Sequence, residues 1–520
     1  MTEEAGRVLD SAGTVLDRAL ETDPAREALI SIDARLSYEE LDLAVELAAR
    51  ALAALGIKKN DVVAVSLPNA RDVVVTFHAV MRLGAIWLGV NRNLATPEKD
   101  YILQDADAHL LLAEVPVDGR HDGGHESPQV VVVGGAGDAW ADILANAPTN
   151  YRRPFRRGTD AAGIAYTSGT TGRPKGVVHT HRNILLPGAM LVAARRFGPE
   201  LRKGDCAALT ILNMQVTSTL LVAQAGGTQI VMDRVDPAGV ADWVRRESVN
   251  SWFGVPTILH GLAGSDDVAD DALKSLTDVW TGGTYVTEPI RKAFERRFGC
   301  RVSATYGLTE APSVVTIEDR DDIRVPGSSG KSLPHVVVEI RDDTGSVLPV
   351  GEMGEITVRA NREGPWADLY QPMLGYLGHL DATIKSVRNG ALHTGDIGQL
   401  DPDGRLFVRD RRNALILRGG ANVYPAEVER VLLEAPGVKG ASVIGIPDDR
   451  LGQRVAAAVE PEIGINLDPQ TLSGFCSTHL ARYKVPEFWK VASLPRNAMG
   501  KIVRTEIEQW FTSPEELSRP

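Results

Sequence analysis

A run of small and hydroxyl-bearing residues between Tyr166 and Gly176 has the chemistry of a phosphate site. It reads YTSGTTGRPKG, in which glycines let backbone N–H groups approach an anion, hydroxyls add donors and lysine adds a positive charge. The candidate phosphate contacts are Thr167, Ser168, Gly169, Thr170, Thr171, Gly172 and Lys175. A structural surface loop is the alternative that this composition leaves open. The Walker pattern GxxxxGK[ST] is not satisfied, because glycine follows the lysine, so a P-loop nucleotide hydrolase is disfavoured.

The segments that must position this loop predict a parallel sheet covered by helices. Ser37 and Glu40 form a capping-box pattern at the start of a helix with one apolar face, which Gly56 ends. The β-branched run DVVAVSL, a helix over Val73–Leu83 that Gly84 ends, and the run AIWLGV then follow in β-α-β order. GIAYT, just before the loop, reads as another strand. We predict an α/β fold whose large N-terminal domain contains helix-covered, largely parallel sheets.

The pattern changes after about residue 323 and again near residue 412. Short strands joined by turns such as DDTG and DPDG indicate a small β-rich subdomain. From Ala426 the order helix, strand, strand, helix, strand predicts a small α+β domain. We place the boundary in RDRRNALI, so that residues 1–411 form the N-terminal domain and residues 412–520 the C-terminal domain.

Composition narrows the class of protein. The chain has 520 residues, 24% of them charged, and a formal net charge of −12, which argues against a nucleic acid or an anionic membrane as partner. Its three cysteines, Cys206, Cys300 and Cys476, are widely spaced and form no metal-binding pattern, which favours a reducing compartment. No signal-peptide pattern and no apolar run of about 20 residues is evident. We expect a cytoplasmic protein without an integral membrane segment.

Five motifs in order resemble one superfamily. YTSGTTGRPKG, TYGLTE (Thr305–Glu310), HTGDIG (His393–Gly398), RDRRNALILRGGANVYPAEVE and RNAMGKI are similar to those of the adenylate-forming enzymes. Within that superfamily the chain most resembles acyl-CoA synthetases, the group of fatty-acyl and 4-coumarate CoA ligases. The resemblance implies an ATP-dependent acid–thiol ligase. Such an enzyme forms acyl-AMP with release of pyrophosphate and then transfers the acyl group to coenzyme A.

The resemblance also implies roles for individual residues in the first step. The loop up to Lys175 would hold the β- and γ-phosphates of ATP, and Glu310 would bind Mg²⁺, a hard cation that prefers oxygen ligands. Thr309 would donate to the α-phosphate, and Lys501 would bridge the substrate carboxylate and the α-phosphate. The residues implied for adenine and ribose are Tyr306, Gly282, Gly283, Gly307 and Asp396, and Arg411 would add a second ribose or phosphate contact.

In the second step the C-terminal domain is expected to rotate. Gly419 and Gly420 would line the path of the coenzyme A thiol arm, and Asn413 would be the hinge, at a position where most relatives have Lys or Asp. Asparagine tolerates unusual backbone angles, so we expect rotation to survive with altered rates.

The resemblance also implies an acyl pocket. By position it draws on Gln215, Val216, Phe253, Gly254, Thr257, Thr284 and Pro312, together with Gly282 and Gly307. Many of these are small or apolar, consistent with a neutral aromatic, alicyclic or medium-length aliphatic acid. Gln215 stands where relatives have a histidine, and glutamine can donate a hydrogen bond but cannot be charged. The 213–218 segment holds no acid to bind an α-ammonium group, so amino acids are disfavoured.

Two alternatives stay open. The first is an acyl-AMP ligase that loads a carrier protein instead of coenzyme A. The second is an inactive ATP-binding relative, which the joint presence of Lys175, Glu310, Asp396, Arg411 and Lys501 disfavours. The expected partners are therefore a small carboxylic acid, ATP and coenzyme A, with the chain a monomer or a homodimer.

Overall fold

The computed structural model describes most of the chain and divides it into two compact units. The described residues are 11–114, 128–135, 138–149, 151, 153–167, 174–283, 286, 288–411, 416–418, 421–448, 451–496 and 500–511. The first unit contains Met1–Val286, Ile290–Val338 and Thr357–Thr394, and the second contains Thr287–Pro289, Glu339–Ile356 and Gly395–Pro520. The predicted boundary at residues 412–413 lies outside the described residues and stays a prediction. The second compact unit already begins its last segment at Gly395.

Two sheets form the centre of the first unit. The larger has nine strands, in the order Lys331–Ser332, Ser313–Ile317, Val302–Leu308, Asp278–Thr281, Ser251–Phe253, Arg202–Asp205, Thr228–Val231, Glu27–Ile30 and Arg35–Ser37. Its six consecutive strands from Val302–Leu308 to Glu27–Ile30 are parallel, and the remaining edge strands pair antiparallel. Parallel strands need crossover connections, which the intervening helices supply.

The second sheet carries the predicted phosphate loop. Its seven strands follow the order Gly375–Tyr376, Lys175–Thr180, Ala161–Thr167, Ile86–Gly89, Val62–Ser66, Ala108–Ala113 and Gln129–Val132. Ala161–Thr167 and Lys175–Thr180 form an antiparallel hairpin, while the strands from Ala161–Thr167 to Gln129–Val132 are parallel. The predicted β-α-β start of the chain is confirmed, and every residue of Val62–Ser66 is buried.

Helices surround these sheets, and some of them lie where local sequence signals predict. They are Asp17–Thr22, Tyr38–Ala54, Arg71–Leu83, Thr96–Asp105, Ala139–Ala145, His181–Arg195, Leu212–Met214, Leu221–Ala225, Pro237–Glu247, Pro256–Gly264, Leu380–Ser386 and, from Ile290 onward, Glu288–Phe298. Ser37 and Glu40 form the predicted capping box, and Gly84 ends its helix with φ +68°. Gln215–Leu220 adopts a π-helix, a form that is rare and often found at functional sites.

Short strands predominate in the described residues between about 336 and 411. They are Val336–Arg341, Gly354–Ala360, Val387–Arg388, Ala391–Leu400 and Leu406–Arg411, which confirms the predicted β-rich texture after residue 323. Within the second unit, the residues from Asp396 to Leu400 pair antiparallel with Leu406–Arg411.

The rest of the second unit is a small α+β domain, as predicted. Its sheet has the order Ala421–Val423, Ile416–Arg418, Gly452–Pro461 and Val438–Asp448, and Phe488–Val491 pairs parallel with Gly452–Pro461. Its helices are Pro425–Glu434, Pro469–His479 and Arg504–Gln509. An apolar cluster centred on Val428, Leu432, Val455 and Trp489 forms its core.

The three cysteines are buried free thiols. Of the helices in the described ranges, none is both long and apolar enough to cross a membrane. The predicted α/β class with a smaller C-terminal α+β unit is confirmed.

Candidate active site

The stem of the predicted phosphate loop is a tight hairpin. Thr167 and Lys175 are partners in its last antiparallel pair, so the loop begins and ends at adjacent backbones. Helix Thr96–Asp105 supports this stem, because the Tyr101 hydroxyl donates to the Pro174 carbonyl oxygen at 2.9 Å and the Tyr166 hydroxyl to Asp105 at 2.6 Å. The hairpin therefore places Lys175 at the mouth of the loop.

Several predicted residues lie outside the described part of the chain. They are Ser168, Gly169, Thr170, Thr171, Gly172, Thr284, Asn413, Gly419 and Gly420. Their roles stay predictions.

Thr309 and Glu310 lie in the turn between Val302–Leu308 and Ser313–Ile317. His179 is fully buried, and its Nε2 lies 2.7 Å from the Thr309 carbonyl oxygen. Burial lowers the pKa of His179 to about 4, so the imidazole is neutral near pH 7 and its Nε2–H donates to that carbonyl. The Met373 N–H donates to the Glu310 carbonyl oxygen at 3.0 Å. Two different segments thus hold the backbone of this turn.

The glycines near this turn are required by close backbone packing. A Cβ on Gly307 would lie 1.8 Å from the Ser313 carbonyl oxygen, and a Cβ on Gly282 would lie 2.3 Å from Thr305 Oγ1. Neighbouring parallel strands carry both glycines, since Thr281 pairs with Ala304. Tyr306 is buried beside them, and Gly283 has φ +81°. The structure thus brings the predicted adenine residues to adjacent strand ends, and base binding itself stays a prediction.

Lys175 and Glu310 both contact Tyr376, a residue that the sequence analysis does not single out. The Tyr376 hydroxyl donates to Glu310 Oε1 at 2.9 Å, and Lys175 Nζ lies 5.3 Å from the centre of the same ring. The strand Gly375–Tyr376 pairs with Val177 and Val178, which places the ring beside the hairpin stem. The only local signal is the preceding Gly375, whose φ of +156° disfavours other residues.

The predicted ribose residues come together within the second unit. Asp396 is buried, and its backbone is the direct antiparallel partner of the backbone of Arg411. Gly395, with φ +72°, donates its N–H to Glu355 Oε1 at 3.3 Å, which anchors the strand directly before Asp396.

Lys501 is exposed in the second unit, next to Gly500, which has φ +75°. Arg496 holds this segment, because Nη1 donates to the Gly500 carbonyl oxygen at 3.2 Å and Nη2 to Glu460 Oε2 at 2.9 Å. Lys439 donates to the other oxygen of Glu460 at 2.7 Å. Sequence reasoning missed this anchor, since Glu460 lies on a different strand.

The predicted acyl-pocket residues differ in exposure. Gln215 and Val216 have no accessible surface, Gly254 and Pro312 are buried, Phe253 is half-buried and Thr257 is exposed. The Gln215 amide donates to the Leu209 carbonyl oxygen at 2.6 Å, and its Oε1 has no partner among the described residues. Asn69 in turn accepts from the Leu209 N–H at 2.9 Å. Gln215 thus connects the π-helix to the turn before it, and its place in the acyl pocket stays a prediction.

Comparisons with known proteins identify the family of this chain. The family described as AMP-binding enzyme matches residues 16–377, and the AMP-binding enzyme C-terminal domain matches residues 427–501. The long-chain-fatty-acid–CoA ligase FadD13 of Mycobacterium tuberculosis is 30% identical, over 97% of this chain and 99% of its own length. A feruloyl-CoA synthase of Amycolatopsis is 33% identical, over 92% of this chain and 94% of its own length.

A solved structure shows the same architecture. ATP-bound MatB from Rhodopseudomonas palustris superposes with a TM-score of 0.87 at 27% identity, covering 97% of this chain and 100% of MatB. The family match spans more than half of the chain, and the curated relatives cover nearly all of it. The chain therefore belongs to the AMP-binding enzyme family and is an AMP-forming acyl-CoA synthetase of the adenylate-forming superfamily.

Proposed function

We propose that this enzyme activates a carboxylic acid whose remainder is uncharged and passes it to coenzyme A. The nucleotide assignment depends on two contacts of Tyr376 beside the loop stem: its ring contacts Lys175, and its hydroxyl contacts Glu310. A cation and a carboxylate held near each other without neutralising one another suit a magnesium–polyphosphate group.

The first step brings two anions together, so its main requirement is charge neutralisation and positioning. Lys175 offsets charge on the outer phosphates and on departing pyrophosphate. Thr309 donates to the α-phosphate from a turn whose backbone His179 holds. Lys501 neutralises the attacking carboxylate and the α-phosphate, and Asp396 accepts hydrogen bonds from the ribose hydroxyls.

The residues at Glu310 fit a bound Mg²⁺. The Tyr376 hydroxyl donates to Glu310 Oε1, and Glu310 Oε2 accepts no hydrogen bond from the described residues. Mg²⁺ in nucleotide sites is usually held by one or two carboxylates, phosphate oxygens and water, so one carboxylate suffices. Mg²⁺ bound there supplies positive charge to the phosphates.

An uncharged acyl group fits the residues proposed for the pocket. Gln215, Val216, Phe253 and Pro312 carry no charge. The acidic group near this segment, Asp205, is neutralised by Lys203, whose Nζ lies 2.9 Å from its Oδ1, and both side chains are buried. The similarity to ligases named for a long-chain fatty acid and for feruloyl-CoA supports aliphatic or aromatic acids. The buried free thiols support a cytoplasmic location.

The test is a panel of uncharged and charged acids, in which hexanoate, adipate and 6-aminohexanoate share the same chain length. Hexanoate, cyclohexanecarboxylate and cinnamate are compared with adipate and 6-aminohexanoate, with ATP, with and without coenzyme A. We expect pyrophosphate release and thiol consumption with the first group only. Equal rates with adipate or 6-aminohexanoate would overturn the uncharged pocket. Pyrophosphate release without thiol consumption would instead indicate a different acyl acceptor, such as a carrier protein.

A further inference from the structure

Tyr376 contacts both charged groups of the candidate phosphate site, yet it belongs to none of the motifs described above. Its hydroxyl donates to Glu310 Oε1, 66 residues away in sequence, at 2.9 Å. The face of its ring lies 5.3 Å from Lys175 Nζ. This is within the range at which an ammonium group is attracted to an aromatic face. One side chain thus contacts the proposed cation ligand and the proposed phosphate ligand.

The backbone around Tyr376 is held at several points. The Leu374 N–H donates to the Val178 carbonyl oxygen at 2.9 Å, and the Leu377 N–H to the Gly176 carbonyl oxygen at 2.8 Å. The Tyr376 N–H itself donates to Thr383 Oγ1 at 2.9 Å. These bonds fix the backbone position from which the Tyr376 side chain reaches Glu310 and Lys175.

We propose that Tyr376 is a positioning residue that orients Glu310 toward Mg²⁺ and keeps Lys175 from pairing with that carboxylate. A carboxylate and an ammonium without a separating group tend to form an ion pair, which would occupy both ligands of the phosphate site. Lys175 and Glu310 form no ion pair in the described part of the chain, and each contacts the tyrosine instead. The inference rests on the proposed function of Glu310.

The hydroxyl and the ring have separable effects. Tyr376→Phe removes the bond to Glu310 but keeps the ring under Lys175, so it should weaken cation binding selectively. Partners that orient a metal ligand typically change metal affinity about 10- to 100-fold. Tyr376→Leu also removes the ring, so it should in addition weaken binding of the nucleotide without metal.

The experiment measures binding rather than turnover. Mn²⁺ affinity of the full-length protein is determined by electron paramagnetic resonance with α,β-methylene-ATP present, and binding of that nucleotide in EDTA is measured by calorimetry. For Tyr376→Phe we expect about 10-fold weaker Mn²⁺ binding and nucleotide affinity in EDTA within about 2-fold of the parent. Tyr38→Phe is the matched control, since its buried hydroxyl donates to the Gly227 carbonyl oxygen, outside this site.

Glu310→Gln separates this inference from the function on which it rests. If Glu310→Gln weakens Mn²⁺ binding while Tyr376→Phe matches the parent, the positioning role of Tyr376 is wrong and the assignment of Glu310 stands. If Glu310→Gln binds Mn²⁺ as the parent does, the proposed metal ligand itself is wrong. If Tyr376→Phe and Tyr38→Phe lose Mn²⁺ affinity to the same extent, the loss is a general effect of removing a hydroxyl. That result would also overturn the inference.

Discussion

The imidazole of His179 donates a hydrogen bond to the carbonyl oxygen of Thr309, a residue 130 positions later in the chain, over a distance of 2.7 Å. This contact joins the strand that starts at Lys175 to the turn that carries Glu310. The two ends of the candidate phosphate site are therefore coupled through a buried side chain that contacts no substrate in the proposed mechanism.

The burial of His179 predicts a pH dependence of folding. Its pKa is about 4 in the folded protein and about 6.5 when unfolded, so only the unfolded chain gains a proton as the pH falls between these values. Stability is thus fully present above pH 6.5 and is lost toward pH 4, by about 2 kcal/mol at pH 5 for this residue. His179→Gln keeps a donor for Thr309 but does not titrate.

Urea unfolding at pH 7.5 and pH 5.0 checks this. The free energy of unfolding should fall about 2 kcal/mol further in the parent than in His179→Gln. The buried His78, His181 and His335 titrate in both proteins, so their effects cancel in the difference. Equal losses in parent and variant would show that His179 does not stay neutral in the fold.

Gln215 is predicted to stabilise the fold through the Leu209 carbonyl. Gln215→Ala removes a fully buried donor and leaves that carbonyl without it, which should cost about 1–3 kcal/mol. The exposed Thr257→Ala serves as the comparison and should change stability by less than about 0.5 kcal/mol. Chemical denaturation measures both. A Gln215→Ala protein as stable as the parent would mean that the hydrogen bond to Leu209 is unimportant.

Lys501 is predicted to act in adenylation without stabilising the fold. Lys501→Ala should lower acid-dependent pyrophosphate release about 10²- to 10³-fold, the usual cost of losing one transition-state donor. Because the side chain is exposed, the midpoint of unfolding should stay close to that of the parent. Acyl-adenylate formation at the parental rate would show that the lysine has another role.

Arg496 is predicted to position the Lys501 segment. Arg496→Ala removes the bonds to the Gly500 carbonyl and to Glu460, and the resulting misplacement of Lys501 should slow adenylation about 10- to 100-fold. Lys439→Ala is the matched control, because Lys439 also binds Glu460 but makes no bond to Gly500. Single-turnover measurements of acyl-AMP distinguish the two variants. If both variants slow adenylation equally, the contacts of Glu460, and not the bond between Arg496 and Gly500, position the Lys501 segment.

The sequence alone was sufficient for features that depend on neighbours along the chain. The capping box of Ser37 and Glu40, the buried strand Val62–Ser66 and the helix end at Gly84 are each specified by residues within a few positions. The family followed from the order of its motifs, and the family matches confirm it.

Only the tertiary structure decided which side chains meet. Tyr376 reaches Glu310, His179 reaches Thr309 and Arg496 reaches Glu460 because sheet pairing brings distant segments together. No local pattern encodes such contacts, since a strand's period predicts which face a residue occupies but not which strand will lie beside it. Gln215 is a further example, because its amide donor follows from its chemistry, but its burial and its bond to the Leu209 carbonyl oxygen are visible only in the fold.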